Sequence, residues 1–280
     1  MRIRSLVRDE IDTVLQWAAQ EGWNPGDDDA EVFWNTDPGA FVGVEVDGQL
    51  IGSGSIVSYG GRMGFVGLFI VRPEFRGRGY GKALWDHMLT ALPERLDPGA
   101  PMALDGVKDM EDRYRLTGFR SSHDDRRMRL VSAATRLPSS VRRITAPVGA
   151  IAQWDSQCFG VPRPTFLSGW LGHPDHVALA YVTDSLRGYA VMRPCQTGHR
   201  IGPLFAADVA AAETLLTGLF AHVPVGSELF LDVPDSNVEA MRWAGSLGGT
   251  EVFTCARMYT GTPPRTDWSR VFGVTTLELG

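Results

Sequence analysis

Apolar positions along the first half of the chain repeat with two different periods. Ile3 to Val7 reads as a strand. Ile11, Val14, Leu15 and Ala18 then share one face of a helix over Arg8 to Glu21, which Gly22 ends. Phe41 to Val46 and Gln49 to Tyr59 flank Asp47-Gly48, a hairpin signal. Gly60-Gly61 turns the chain into Met63 to Val71, an apolar β-prone run stopped by Pro73. A glycine-rich turn follows, and then Ala83, Leu84, Met88 and Leu89 mark one side of a helix closed by Ala91-Leu92-Pro93. Met102 to Leu104 reads as a short strand, Asp109 to Leu116 as a helix stopped by Gly118, and Met128 to Val131 as a closing strand. The expected class is α/β, in the α+β sense of a mixed sheet flanked by helices.

After Val131 the pattern starts again. Residues 132–143 are polar and contain Pro138, which makes them the expected linker between units 1–131 and 144–280. Ile144 to Val148 echoes Ile3 to Val7, and Gly188 to Arg193 echoes the meander. Ile201 to Phe205 stands where the strand before the glycine turn should be. Ala206 to Phe220 follows as a helix, Leu229 to Val233 as a strand, Val238 to Leu247 as a helix, and Arg257-Met258-Tyr259 as the end of the copy. The repeat is one of pattern, not identity.

The stretch that carries chemistry is RGRGYG, Arg76 to Gly81, between a strand and a helix. Gly77, Gly79 and Gly81 let the backbone approach a ligand closely, and the helix start adds unpaired N–H groups and a positive dipole end. Arg72, Arg76, Arg78 and Lys82 surround the turn, so the ligand expected is an anion, most simply a pyrophosphate. A Walker loop is disfavoured, because Arg76 replaces its first glycine and Ala83 its hydroxyl. A dinucleotide fingerprint is disfavoured because Lys82 takes the third glycine position. The pattern that fits is R/Q-x-x-G-x-G/A, met by Arg76, Gly79 and Gly81 after a V-x-P-x-x-R-G lead-in from Val71 to Gly77.

This stretch resembles motif A of the GNAT acetyltransferase superfamily, and the order of elements over about residues 1–131 is similar to that of the family. The whole chain looks like tandem GNAT proteins whose second half is a degenerate copy. The resemblance implies acetyl-CoA as cofactor, held by backbone groups of Phe69, Ile70 and Val71 and by Arg76, Gly77, Arg78, Gly79, Tyr80, Gly81 and Lys82. A strand amide near Leu68 or Phe69 would serve the oxyanion. Tyr114, four residues before Gly118-Phe119, matches the family's proton donor, while Val107 stands where the family has asparagine. In the second half Asn237 fits that asparagine and Ala244 replaces the tyrosine. Between Leu204 and Leu215 that half has neither glycine nor arginine, and Asp208 there would repel pyrophosphate, so one acetyl-CoA site per chain is expected.

The acceptor and the general base are less legible. Three aspartates, Asp27 to Asp29, follow Asn24-Pro25-Gly26 beside Trp23, Phe33 and Trp34. They read either as an acidic helix start with core aromatics, or as a lid attractive to a cationic amine, with Trp23, Asn24, Asp28 and Phe33 as substrate residues. The strand before the loop has Gly64, Val66 and Gly67 where many relatives place a glutamate. The base is therefore open: a held water, Glu21 or Asp28, a second-half group such as Glu228, Asp232 or Asp235, or a histidine among His123, His173 and His176.

Composition narrows the classes. At 280 residues the chain can bury a core without staples. Net charge is −6 and the sequence pI about 5.5, which argues against broad binding to nucleic acid. Cys158, Cys195 and Cys255 are odd in number and lack metal-site spacing, so buried reduced thiols in a cytoplasm are expected, with no metal. No apolar run reaches membrane-spanning length. The expected function is an acetyl-CoA-dependent N-acetyltransferase acting by direct transfer on a small-molecule primary amine, as monomer or homodimer. A non-catalytic acyl-CoA-binding or sensing protein and a protein or peptide N-acetyltransferase stand as alternatives.

Overall fold

The computed structural model of the chain describes residues 1–280. The first half runs β1 (Arg2–Ser5), α1 (Arg8–Gln20), α2 (Asp29–Thr36), β2 (Phe41–Val46), β3 (Gln49–Ser58), β4 (Gly64–Val71), α3 (Tyr80–Ala91), β5 (Met102–Val107), α4 (Glu111–Leu116) and β6 (Arg120–Val131). The second runs β7 (Val141–Arg143), α5 (Gly149–Phe159), α6 (Pro164–Gly172), β8 (Val177–Val182), β9 (Leu186–Pro194), β10 (His199–Ala206), α7 (Val209–Phe220), β11 (Glu228–Pro234), α8 (Val238–Ser246), β12 (Thr250–Tyr259) and β13 (Val271–Gly273).

All strands join one mixed sheet in the order β1-β2-β3-β4-β5-β12-β6-β11-β10-β9-β8-β7, with β13 beside β10. The centre of that order exchanges strands between the halves. β12 of the second half inserts between β5 and β6, and β6 of the first pairs with β11. The boundary at 131/144 thus divides the sequence but not the sheet. The expected linker is also shorter than its residue range, because Val141–Arg143 pairs with β8. The strand expected at Ile144 to Val148 falls there instead. Ile144 still donates to Ala178 O, but Pro147 has no N–H to continue the ladder, and α5 starts at Gly149.

One further departure has a physical cause. β6 is 12 residues long, and only its apolar end was legible, because the rest reads RSSHDDRR. Those residues sit mid-sheet, where Asp125 and Arg127 are buried. A strand that buries charges does not show the alternation by which strands are recognised.

One hydrophobic cluster covers one sheet face through both halves. It joins Ile11, Phe33 and Phe41 of the first to Phe166, Trp170 and Tyr189 of the second. Phe33 stacks on Trp170 with ring centroids 6.3 Å apart. On the opposite face α3 and α4 cover the first half, and α7 and α8 the second.

The C-terminal segment ties the halves together. β13 runs antiparallel to β10 at Leu204–Gly273, and Val274 N–H donates to Asp232 O. The segment then crosses to β4 of the first half. A Cβ placed on Gly67 would lie 1.8 Å from Glu278 O, so only glycine admits the tail there. Gly67→Val is expected to displace the tail and to destabilise the fold by about 1–3 kcal/mol or more, read as a lowered denaturation midpoint. A midpoint equal to wild type would mean that the tail does not lie on β4.

Candidate active site

β4 and β5 run parallel but pair only from Gly64–Met102 to Val66–Leu104. Beyond that point they separate, and the backbone of both strands is left facing a gap. β4 also carries a bulge there: Ser53 opposes Ile70 and Ser55 opposes Gly67, so Leu68 and Phe69 together face Gly54. Leu68 takes φ 47°, a left-handed conformation rare for a branched side chain, and Ser53 Oγ donates to Leu68 O at 3.1 Å. A bulge of this kind redirects the local backbone at the point where β4 and β5 part.

The gap opens onto a cavity of about 990 Å³. At one end lies the glycine loop. Gly77 and Gly79 have φ 75° and 87°, and Gly79 is the N-cap of α3 with no side chain capping it. The N–H groups of Gly77, Arg78, Gly79, Tyr80, Gly81 and Lys82 have no acceptor in the protein. Six consecutive orphan donors at a helix N-terminus suit a diphosphate. The basic side chains contribute less than the sequence suggests. Arg76 is tied to Glu21 and donates from Nε to Val71 O at 2.7 Å. Arg72 pairs with Glu74, Arg78 lies over Phe75, and Lys82 pairs with Asp86. The loop therefore grips an anion chiefly through its backbone.

Of the cofactor residues expected from the sequence, Phe69, Ile70, Val71, Arg76, Gly77, Gly79, Gly81 and Lys82 line the cavity. Arg78 and Tyr80 do not, since both lean on Phe75. Tyr114 also lines it, from α4, with its ring against Trp85 at 5.0 Å. Burial, with Cys255 nearby, raises its phenol to about 12, and no hydrogen bond within the protein engages it. It is a protonated, uncommitted acid at the cavity wall.

The substrate residues expected at the lid are corrected. Only Trp23 lines the cavity. Phe33 is fully buried against Trp170. Asn24 is held by the second half, donating to Thr197 O at 2.9 Å and accepting from Thr197 N–H. Asp28 is exposed near His173 and Asp175, away from the cavity. Asp29 caps Gly26 N–H and pairs with Arg193 at 2.8 Å. The acidic run starts a helix and docks α2 on the second half.

The second half supplies the remaining wall: Phe253, Cys255, Leu277 and Glu278. Sequence reasoning missed all four, because strand exchange and the crossing tail leave no local signal. Its own equivalent of the loop is closed. Asp208 caps α7 by accepting from Ala211 N–H at 2.8 Å, and Phe272 of β13 is buried among the residues beneath α7 and α8. Asn237 caps α8 and donates to Ser269 O and Val271 O, which holds β13 in place.

Beneath the cavity runs a buried charge network. Arg127 Nε lies 2.7 Å from Asp232, which also pairs with Arg200, and Arg200 reaches Glu278 at 3.1 Å. Arg127 also donates to Trp23 O at 2.6 Å. Beside it Arg257 holds Asp105 at 2.7 Å. Burial, opposed by Arg257 and reinforced by Asp125, raises the Asp105 carboxyl to about 8. Asp105, Asp125 and Cys255 place ligand atoms within 4.8 Å of one another, with Arg257 supplying positive charge among them.

A sequence model described as Acetyltransferase (GNAT) family matches residues 8–116, and one described as Acetyltransferase (GNAT) domain matches residues 151–273. The chain belongs to the GNAT superfamily. It is a tandem GNAT acyltransferase, with an open loop in the first copy and a plugged one in the second. Holothin acyltransferase of Pseudoalteromonas sp. (strain SANK 73390) is 28% identical over 97% of this chain and 92% of its own length. A candidate acetyltransferase from Pyrococcus horikoshii superposes with TM-score 0.85 over 100% of this chain and 95% of its own, at 19% identity. A tandem GNAT protein from the clavulanic acid biosynthesis pathway gives TM-score 0.65 at 16% identity, covering 94% and 99%. These two structures share the fold. No helix is long and apolar enough to cross a membrane, and all three cysteines are free and buried.

Proposed function

We propose that this GNAT protein binds acetyl-CoA in its first half and transfers the acetyl group directly to the primary amine of a small molecule. The observation that carries the reading is the run of six unpartnered amides from Gly77 to Lys82 at the open end of the β4–β5 gap. These amides would hold the pyrophosphate, with Phe69 to Val71 alongside the pantetheine and the Leu68 or Phe69 amide facing the developing oxyanion. Acetyl-CoA would supply the thioester, and Tyr114 would hold the proton that the departing sulfur needs. A small acceptor is supported by the second half's share of the cavity wall, Phe253, Leu277 and Glu278, which lies on the same cavity as Trp23. It is supported too by the likeness to a protein named for acylating holothin.

Two experiments test the reading. A panel of polyamines, aminoglycosides, amino acids, peptides and apolar amines, offered with acetyl-CoA, is expected to give free thiol with a small amine. Tight acetyl-CoA binding with no acetylated product would favour a sensing role instead, and turnover confined to peptides would favour a protein acceptor. Tyr114→Phe keeps the ring packed on Trp85 and removes only the acid. It is expected to lower kcat by about 10²-fold or more and to leave acetyl-CoA affinity unchanged. Unchanged kcat would remove Tyr114 from the chemistry.

A further inference from the structure

We propose that the acceptor is an amine whose nitrogen is already neutral at neutral pH, an aromatic or otherwise weakly basic amine with an apolar body, and that the site works without a general base. The proposal deepens the acetyl-CoA reading above and rests on it.

Four carboxylate residues line the cavity, and a cation already holds each one. Glu21 is held by Arg76, Asp86 by Lys82, Asp105 by Arg257 and Glu278 by Arg200. No histidine lines it, and β4 carries no carboxylate. The ionised side chain left without a partner on the wall is positive, Arg113. Glu278 and Asp105 are also buried, with side-chain exposures of 2% and 0%. Asp105 faces Arg257, Tyr259 and Cys255 from β12 and Asp125 from β6, and burial raises its carboxyl against the pull of Arg257. Cys255 stays a neutral thiol, pushed well above its usual range by burial.

The half-buried surface offered to an acceptor is Trp23, Phe253 and Leu277. An ammonium entering there would shed water with no free counter-ion in reach. A neutral amine with an apolar body loses little. The proton balance also closes without a base. The nitrogen lone pair forms the C–N bond to the acetyl carbonyl, and the C–S bond breaks with its electron pair on sulfur. The proton that nitrogen loses equals the proton that sulfur gains, with Tyr114 donating and water returning its proton. The products are the amide and coenzyme A thiol.

The test is competition at pH 7 between aniline, neutral there, and benzylamine, protonated there, with acetyl-CoA in excess and products read by mass spectrometry. Acetanilide is expected to dominate by roughly tenfold or more. The aniline rate should stay flat from about pH 6 to 9, while the benzylamine rate rises about tenfold per pH unit with its free base. Leu277→Glu places an unpaired carboxylate on the acceptor wall and is expected to shift the product ratio roughly tenfold toward benzylamine. Preference of wild type for benzylamine at pH 7, or an aniline rate that climbs with an enzyme group, overturns the proposal. If neither amine turns over, saturation-transfer NMR with the CoA complex decides. Aniline alone receiving signal supports the proposal, and benzylammonium binding as well as aniline overturns it. Failure of the acetyl-CoA reading shows separately, as no binding of acetyl-CoA.

Discussion

Gly79→Glu is expected to abolish acetyl-CoA binding while leaving the fold intact. Gly79 sits at φ 87°, where any side chain brings strain of about 1–2 kcal/mol. A Cβ there meets nothing within 4 Å, so the new side chain has room and does not disturb the core. That open space lies beside the orphan N–H groups, and a carboxylate in it would compete for them and repel phosphate. Loss of affinity by about 10²-fold or more follows from exchanging charge-assisted bonds for like-charge repulsion, at 1.4 kcal/mol per tenfold. Calorimetry with acetyl-CoA reads the loss, and a denaturation midpoint near wild type shows that it is local. Affinity within threefold of wild type would mean that the loop is not the phosphate site.

Asp232→Ala is expected to weaken the whole fold rather than one site. Burial alone would raise the Asp232 carboxyl, but Arg127 and Arg200 outweigh it and hold it well below the usual carboxylate range. Removing it leaves Arg127, 3% exposed, with no carboxylate and Arg200, 2% exposed, with Glu278 alone, at a cost of about 3–5 kcal/mol. That is a large share of the roughly 5–15 kcal/mol of an ordinary domain. Urea denaturation at neutral pH reads the loss. Because the folded value is depressed, the stabilisation is present above the ordinary aspartate range and fades as pH falls toward the lowered value. A variant within about 1 kcal/mol of wild type would contradict the network. Activity should fall as well, because Arg127 holds the Trp23 carbonyl and Arg200 holds Glu278 at the cavity wall.

The contrast between these two sites shows which parts of the molecule sequence can reveal. The hairpin around Asp47-Gly48, the β4-loop-α3 unit and Tyr114 rest on contiguous signals: turn residues, glycines before a helix, and one fixed spacing. Their physics is local, and so the hairpin, the loop unit and the place of Tyr114 on the cavity wall were legible. Asp232 contacts Arg127 and Arg200 across 105 and 32 residues, and nothing near any of them announces the others. The exchange of β6 and β12 has the same character, because either strand would look identical paired within its own half. The lid failed for a related reason. Trp23, Asn24, Asp28 and Phe33 had the residue types of a pocket, but Phe33 found Trp170 and Asn24 found Thr197. The closing of the second half's slot was half legible. Missing glycines and Asp208 were visible, whereas the filling of its slot by Phe272 needed the path of the tail.

One copy is expected to hold the acyl donor, because the other has given up its slot to β13. Titration calorimetry of acetyl-CoA into the intact chain measures the number of sites. Saturation at one molecule per chain is expected, and its loss in Gly79→Glu. Two molecules per chain, or no heat of binding, would contradict it.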